Sequence, residues 1–561
     1  MNNIDWFVLV FTLLIIVVYG TIKTKGAKTA REYIKAGSDA KWWTIGLSVM
    51  ATQASAITFL STPGQAFNDG LGFVQFYFGL PIAVVVVCLI FIPIYHKLKV
   101  YTAYEFLEKR FDLKTRSLTA ILFLIQRSLS AGITIFAPSI ILSTVLGWNL
   151  IWTNIIIGLL VIIYTVSGGT KAVNYTQKYQ MGIILIGLII VFVTVINLFP
   201  ENISFKKAIE IASTNSKMEI LNFSFDFENR YTVWSGIIGG TFLMMSYFGT
   251  DQSQVQRYLS GKSLREMQLG MIFNGILKIP MQFFILFIGI MVFVFYQFSA
   301  SPLNFNPQAE KIVSQSSFSE NYNSLKIDLK NNFEKKMFYY DELLNSKNIE
   351  TKNQIINLNK KEDELRKEGK SLIKKAGIEK NVKVETNDKD YIFISFILNN
   401  LPNGIIGLLL AVILSAAMSS TSSEINALAT TSVVDILKRN FSYINDDNIV
   451  YYTKLMTFFW GICAITIASF AYLADNLIQL VNIIGSIFYG NVLGIFIIAF
   501  FFKKLKSNSV FFGAIITQLI IIYAWIFDWM PFLWLNVFGC FTVIFISNLI
   551  NRFKLFSPLR N

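Results

Sequence analysis

Apolar residues come in long unbroken runs along this chain, separated by short polar stretches, and about thirteen of the runs reach 17 residues or more. They fall near residues 4–22, 42–66, 73–95, 117–145, 150–167, 178–199, 232–250, 269–298, 391–420, 452–473, 478–502, 508–527 and 531–550. At about 1.5 Å of rise per residue, each run as a helix crosses a hydrocarbon core of about 30 Å. The pattern predicts an all-α integral membrane protein of about thirteen transmembrane helices.

The polar stretches between the runs alternate in charge. Lys23, Lys25, Lys28, Arg31, Lys35 and Lys41 follow the first run, and Lys97, Lys99, Lys109, Arg110, Lys114 and Arg116 follow the third. The same side is basic at Lys171 and Lys178, at Arg257, Lys262 and Arg265, at Lys438 and Arg439, at Lys503, Lys504 and Lys506, and in the tail at Arg552, Lys554 and Arg560. Basic loops stay in the cytoplasm. This predicts an N-terminus outside, a C-terminus inside and an odd number of spans in a plasma or bacterial inner membrane. Met1 to Asp5 carries no basic residue ahead of the first run, which reads as a retained span and not a signal peptide.

Residues 301–390 depart from the pattern. They hold 32 of the 84 charged residues, 17 basic and 15 acidic, and the odd-even count puts them outside. Long translocated loops escape the charge bias. Leu343, Leu344, Ile355, Ile356 and Leu358 form a thin helical stripe there, predicting one or two surface helices, as in a hairpin, decorating the membrane-spanning body.

Composition narrows the function. With 54% apolar and 15% charged residues and a mean hydropathy of +0.52, the chain is not a soluble multidomain protein. Its net charge of +14 follows from topology and does not indicate nucleic acid. Cys88, Cys463 and Cys540 lie in apolar runs without metal-ligand spacing, and the single histidine, His96, ends a run beside Lys97. A membrane-embedded transferase would need acidic or histidine clusters at one face, and the sequence offers none. The reading is an integral membrane protein that is not an enzyme, with no organic cofactor and no obligate protein partner.

Two runs carry costly polar residues at mid-membrane. The second reads Ser48, Val49, Met50, Ala51, Thr52, Gln53, Ala54, Ser55, Ala56, Ile57, Thr58 before Pro63 and Gly64, which predicts an interrupted helix. The ninth reads Ser415, Ala416, Ala417, Met418, Ser419, Ser420, Thr421, Ser422, Ser423, Glu424, Ile425, Asn426. Neutral hydroxyls beside bare carbonyls form the oxygen set that an alkali cation uses, although serines also satisfy themselves on carbonyls one turn back.

These stretches, together with Gly168-Gly169-Thr170-Lys171-Ala172-Val173 and the motif GTDQSQVQRYLSGK at residues 249–262, resemble the sodium:solute symporter family in motif and order. That family includes sodium/glucose, sodium/iodide, sodium/monocarboxylate and sodium/proline carriers. The resemblance implies a LeuT-like core of two inverted five-helix repeats with a broken first core helix. It divides the chain into an extra helix at 1–30, a first repeat at 31–200 and the start of a second at 201–300. The insertion follows at 301–390, then the rest of the second repeat at 391–505 and two final helices with a short tail at 506–561.

The resemblance also implies site residues. The common sodium site falls on the carbonyls of Ala51, Ala54 and Ala416 and the hydroxyls of Ser419 and Ser420. Many members have an acidic residue where this chain has Gln177, which argues for one sodium ion per cycle. Candidate contacts for a small solute (a sugar, monocarboxylate, amino acid or similar) are Gln53, Ser55, Thr58, Tyr77, Tyr247 and Asn482. Tyr77 stands where sugar carriers have a ligand-binding carboxylate, so sugar specificity does not carry over. Lys278, between Leu277 and Ile279, is an intramembrane charge that would attract an anionic solute, line the inner vestibule or snorkel to the cytoplasmic face. The reading is sodium-coupled import of a small organic solute or anion by alternating access. Its rivals on the same scaffold are a sodium-responsive sensor, for which no kinase-like tail is evident, and a proton-coupled carrier. For the latter, Glu424, one turn beyond the serine pair, is the nearest acid.

Overall fold

The computed structural model describes residues 2–24, 29–346, 349–382, 384–470 and 476–555. Lys25, Lys28 and Arg560 of the basic stretches lie outside them, as does the side chain of Leu344. Among the described residues the fold is all-α, with no named strand. Among the described residues nine helices are long and apolar enough to cross a membrane, and shorter apolar helices stand at Asn3–Ile15 and Leu150–Ile163. All thirteen apolar runs are helical over most of their length. The second run splits in two: its later half ends at Gly70 (φ 74°), and the third run begins as a 3₁₀ segment, Gly70–Tyr77, before its helix starts at Leu80, while the seventh carries a π-turn, Ser235–Gly239, ahead of Gly240–Gly249.

Helices prevail because every backbone N–H and C=O in hydrocarbon must find an internal partner. The exceptions are therefore informative. The second run forms two half-helices, Trp42–Gln53 and Ala56–Asp69, separated at Ala54 (φ −84°, ψ 74°) and Ser55 (φ −80°, ψ 174°).

The expected basic loop around Gly168 to Lys178 is not a loop. Within Leu150–Asn197 two helices meet directly at Gly169, whose backbone is not helical (φ 55°, ψ −155°). That backbone geometry suits glycine, and a Cβ there would meet the Tyr33 carbonyl and ring at 2.8 Å. Beyond the kink, Thr170, Asn174 and Gln177 share one helical face and are buried. Burial against other helices, not exposure to water, is what this polar stretch satisfies.

The ninth run also extends past its expected end at residue 420. After Lys389–Asn400 and a turn at Gly404 (φ 87°), the helix Ile405–Thr431 runs through the whole serine-rich stretch. Hydroxyls bonded one turn back keep it helical: Ser420 Oγ donates to the Ala416 carbonyl at 3.0 Å and Ser423 Oγ to the Ser419 carbonyl at 3.1 Å. Its start is capped from the first span, where buried Asp5 accepts from the Gly404 and Gly407 N–H groups at 2.6 and 3.2 Å.

The insertion is a hairpin of Ser319–Ser346 and Ile349–Glu379, preceded by Pro307–Ser314. It carries its own core of Leu303, Ala309, Val313, Tyr322, Leu325, Leu329, Leu365, Leu372, Ile373 and Ala376. Of the expected stripe, Ile355 and Leu343 are buried and Ile356 and Leu358 half-buried. Polar contacts join the arms of the hairpin to each other and the insertion to the membrane helices. Lys336 Nζ, buried, donates to Gln297 and Asn359 at 3.1 Å and to Glu362 at 2.5 Å, while Gln308 donates to Ser143 at 2.6 Å and Lys389 pairs with Asp69 at 3.0 Å.

Burial alone would raise the Glu362 carboxyl; the charges of Arg366 and Lys336 outweigh it and hold it down to about 2. Because the folded value lies below the unfolded one of about 4.3, this anchor stabilises the hairpin fully above that value and is lost as pH falls toward 2. Glu362→Gln, which strands the Lys336 ammonium, is expected to weaken the docked hairpin by about 3 kcal/mol. Limited proteolysis at neutral pH should then cut residues 319–379 of the variant much faster than wild type, with the membrane helices unaffected; equal rates would contradict the anchor.

Candidate functional site

The helix break sets the site. Ala54 N–H still bonds the Met50 carbonyl at 2.7 Å, closing the first half-helix, but the ladder stops there and carbonyls near the break lack their helical partners. The serine-rich helix runs directly alongside. Ser419 Oγ donates to the Ala51 carbonyl at 3.3 Å, and Ser420 Oγ reaches the Ala416 and Ala417 carbonyls at 3.0 and 3.2 Å. Ala51, Ala416, Ser419 and Ser420 are thus brought together, all buried, with Ala54 at the break itself. The donor set is neutral oxygen throughout, the chemistry that a singly charged hard cation takes.

Beside it lies Gln177. Its Nε2 is within 3.2 Å of the Ser419 carbonyl and donates to Thr52 Oγ1 at 3.0 Å and Ser423 Oγ at 2.8 Å, while its Oε1 accepts from Ser48. Thr52 and Ser423 also meet at 3.0 Å. One amide therefore spans the first half-helix and the serine helix. The network continues outward. Ser48 Oγ also lies 2.9 Å from Asn174 Oδ1, which accepts from Arg257 at 2.9 Å, and Thr170 donates to Asn426 at 2.9 Å and accepts from Gln256 at 2.8 Å. Four sequence motifs, far apart in the chain, interlock here.

Next to Thr52 a cavity of about 90 Å³ opens between the half-helices, and the structure brings all six candidate contacts, Gln53, Ser55, Thr58, Tyr77, Tyr247 and Asn482, onto its wall. One water needs roughly 10–15 Å³ by such a measure, so the space suits a small solute. At the end facing Asp69, Gln65 accepts from Asn476 and, at 3.4 Å, from Gln479, and Ser61 accepts from the Ile478 N–H at 3.3 Å. These contacts hold the second half-helix against the helix Leu477–Phe501. Lys278 is fully buried but does not line the cavity; its Nζ lies 5.9 Å from the Tyr77 ring centroid, with no hydrogen-bond partner among the described residues. It does not snorkel.

Sequence reasoning missed a second buried charge, Arg127, which lines the cavity with Glu424 and Tyr489. Its guanidinium pairs with Asp251 and donates to Glu424 at 3.0 Å and Tyr489 Oη at 2.7 Å. The rule that singled out Lys278 applies equally to Arg127, set between Gln126 and Ser128 inside an apolar run. Its partners were hidden because they lie 124 and 297 residues away.

The family model of the sodium:solute symporters matches residues 33–333 and 371–517. The human (Homo sapiens) sodium/iodide cotransporter is 24% identical over 511 residues, 90% of this chain and 67% of its own length. Human sodium-coupled monocarboxylate transporter 2 is 28% identical over 279 residues, 49% of this chain and 44% of its own, so the chain spans less than half of that relative. The solved structure of a Na⁺-coupled sialic acid symporter, captured substrate-bound and outward-open, superposes with a TM-score of 0.75 over 99% of both chains at 23% identity, which identifies the fold.

Gln177→Leu removes the amide that spans the two helices and leaves buried hydroxyls to find new partners, at a cost of about 1–3 kcal/mol. A lowered melting temperature and a smaller stabilisation by added sodium chloride over potassium chloride are expected. A variant that melts as wild type does, with full sodium response, would show that the bridge carries no energy.

Proposed function

Because the chain belongs to the sodium:solute symporter family, we propose that it imports a small solute across the cell membrane together with sodium, by alternating access between its two five-helix repeats, residues 31–200 and residues 201–300 with 391–505. The observation that carries the reading is the convergence of Ala51 and the Ala54 break with Ala416, Ser419 and Ser420. Sodium coordinated there ties the broken helix to the serine helix. The solute sits in the adjoining cavity, against Gln53, Ser55, Thr58, Tyr77, Tyr247 and Asn482. Both ligands favour the same arrangement of the break, so each raises the affinity for the other. The lack of a carboxylate in the shell keeps sodium binding weak enough for release inside, and a potential of about 100 mV adds roughly 2.3 kcal/mol per charge moved inward.

One sodium ion per cycle is the stoichiometry that Gln177 supports. Its amide donors face Thr52, Ser423 and the Ser419 carbonyl, positions at which an acidic side chain would instead attract a cation. The alternation of basic stretches supports an N-terminus outside and a cytoplasmic C-terminus, with the hairpin outside.

Uptake of a labelled panel of sugars, monocarboxylates, amino acids and iodide into proteoliposomes, with an inward sodium gradient and a potassium control, tests this. Sodium-dependent accumulation of one solute is expected, with one sodium entering per solute, and Ser419→Ala/Ser420→Ala is expected to abolish it. Accumulation that ignores sodium, or that survives the double variant, would refute the coupling site.

A further inference from the structure

The charges around the cavity do not balance. Asp251 is saturated: one oxygen takes the Ser253 N–H at 2.9 Å and hydroxyl at 2.6 Å, and the other takes Arg127 and the Tyr489 hydroxyl, the latter at 2.9 Å. Asp251 stands behind the wall and does not line the cavity. With Arg127 it forms a neutral pair, leaving Glu424 as the surplus anion. Glu424 does line the cavity. Its Oε1 accepts from Arg127, but Oε2 is buried and meets no donor. The Thr134 hydroxyl beside it, which could turn onto the carboxyl and supply a hydrogen bond but no charge, donates to the Ser130 carbonyl at 2.9 Å, and Lys278, another buried cation, is outside the lining at the Tyr77 ring.

A carboxylate oxygen left unpaired inside low-dielectric protein is costly unless a ligand completes it. The geometry points to a solute bearing a cationic nitrogen, an ammonium group seated on Glu424 Oε2. A hydroxyl would supply the missing donor but not the missing charge, and an anion would add a second uncompensated negative charge. Phe76, Tyr77 and Tyr247 turn aromatic surface to the same cavity, and Arg127 already lies over the Tyr247 ring at 5.6 Å, so the wall favours positive charge twice over. The inference rests on the reading above only in taking this cavity as the solute site.

The test uses the purified full chain in lipid nanodiscs. The probes are the standard amino acids and ethanolamine, each against its amine-free counterpart: alanine against lactate, serine against glycerate, ethanolamine against ethylene glycol and so on through the set. Binding is read in sodium and in potassium. Sodium-dependent binders are expected only among the amine-bearing members, and Glu424→Gln is expected to weaken them by at least about tenfold, the loss of one charge-assisted hydrogen bond, while sodium alone still stabilises the variant. Glu424→Asp, which keeps the charge but withdraws it, should lie between the two, and decides the matter if the Gln variant does not fold. Binders confined to the amine-free half, no amine-bearing binder at all, or amine binding untouched by Glu424→Gln would each overturn the proposal. So would a Glu424→Gln effect on sodium titrations without solute, which would make the occupant a second sodium ion. Sodium-dependent binding of an amine-free solute overturns this inference and leaves symport standing. Amine binding at Glu424 that ignores sodium does the reverse.

Discussion

Two residues with non-helical backbone, in the middle of a membrane helix, constrain everything around them. At Ala54 and Ser55 the ladder stops where no lipid can replace it, so protein, water or a ligand must. The serine helix is the neighbour that makes the break tolerable. Its hydroxyls lie within reach of carbonyls on both helices, and Gln177 fastens the two from a third. The oxygens that a soluble protein would hide in a continuous helix here form a cluster of neutral oxygens where the broken helix meets the serine helix.

That arrangement explains why the polar residues cluster as they do. Thr170, Asn174 and Gln177 sit on one face of a helix that has just turned at Gly169, and Gln256 and Arg257 approach from a separate segment. Thr170, Asn174, Gln177 and Gln256 each bond two or more other side chains, so the network is stiff when assembled and has few partial solutions. Arg127 performs the same service on the cavity side, joining Glu424 of the serine helix to Asp251 and Tyr489. The junction therefore has one half built from neutral oxygens and another, along the cavity, built from charges.

Much of this was legible in the sequence, for identifiable reasons. Apolar runs report helices because the bilayer leaves no alternative, and Ser48 to Thr58 reports the break because small polar residues followed by Pro63 and Gly64 are expensive there. The stretch from Gly168 to Gln177 misled, because polarity resembles a loop when the burying partners, Ser48 and Asn426, are more than a hundred residues away. The serine run was cut short for the same reason: self-satisfied hydroxyls are invisible to hydropathy. Asp5 as a cap for a helix about 400 residues later, and Lys336 as the pin of the hairpin, are pairings that only the fold creates.

The central claim is that sodium joins the broken helix to the serine helix. Hydrogen exchange by mass spectrometry on the protein in nanodiscs, in sodium, in potassium and in a large organic cation, reads that junction directly. Peptides spanning residues 48–58 and 415–426 should gain protection together in sodium alone. Protection that is absent, that potassium reproduces, or that appears in one segment without the other would contradict the account.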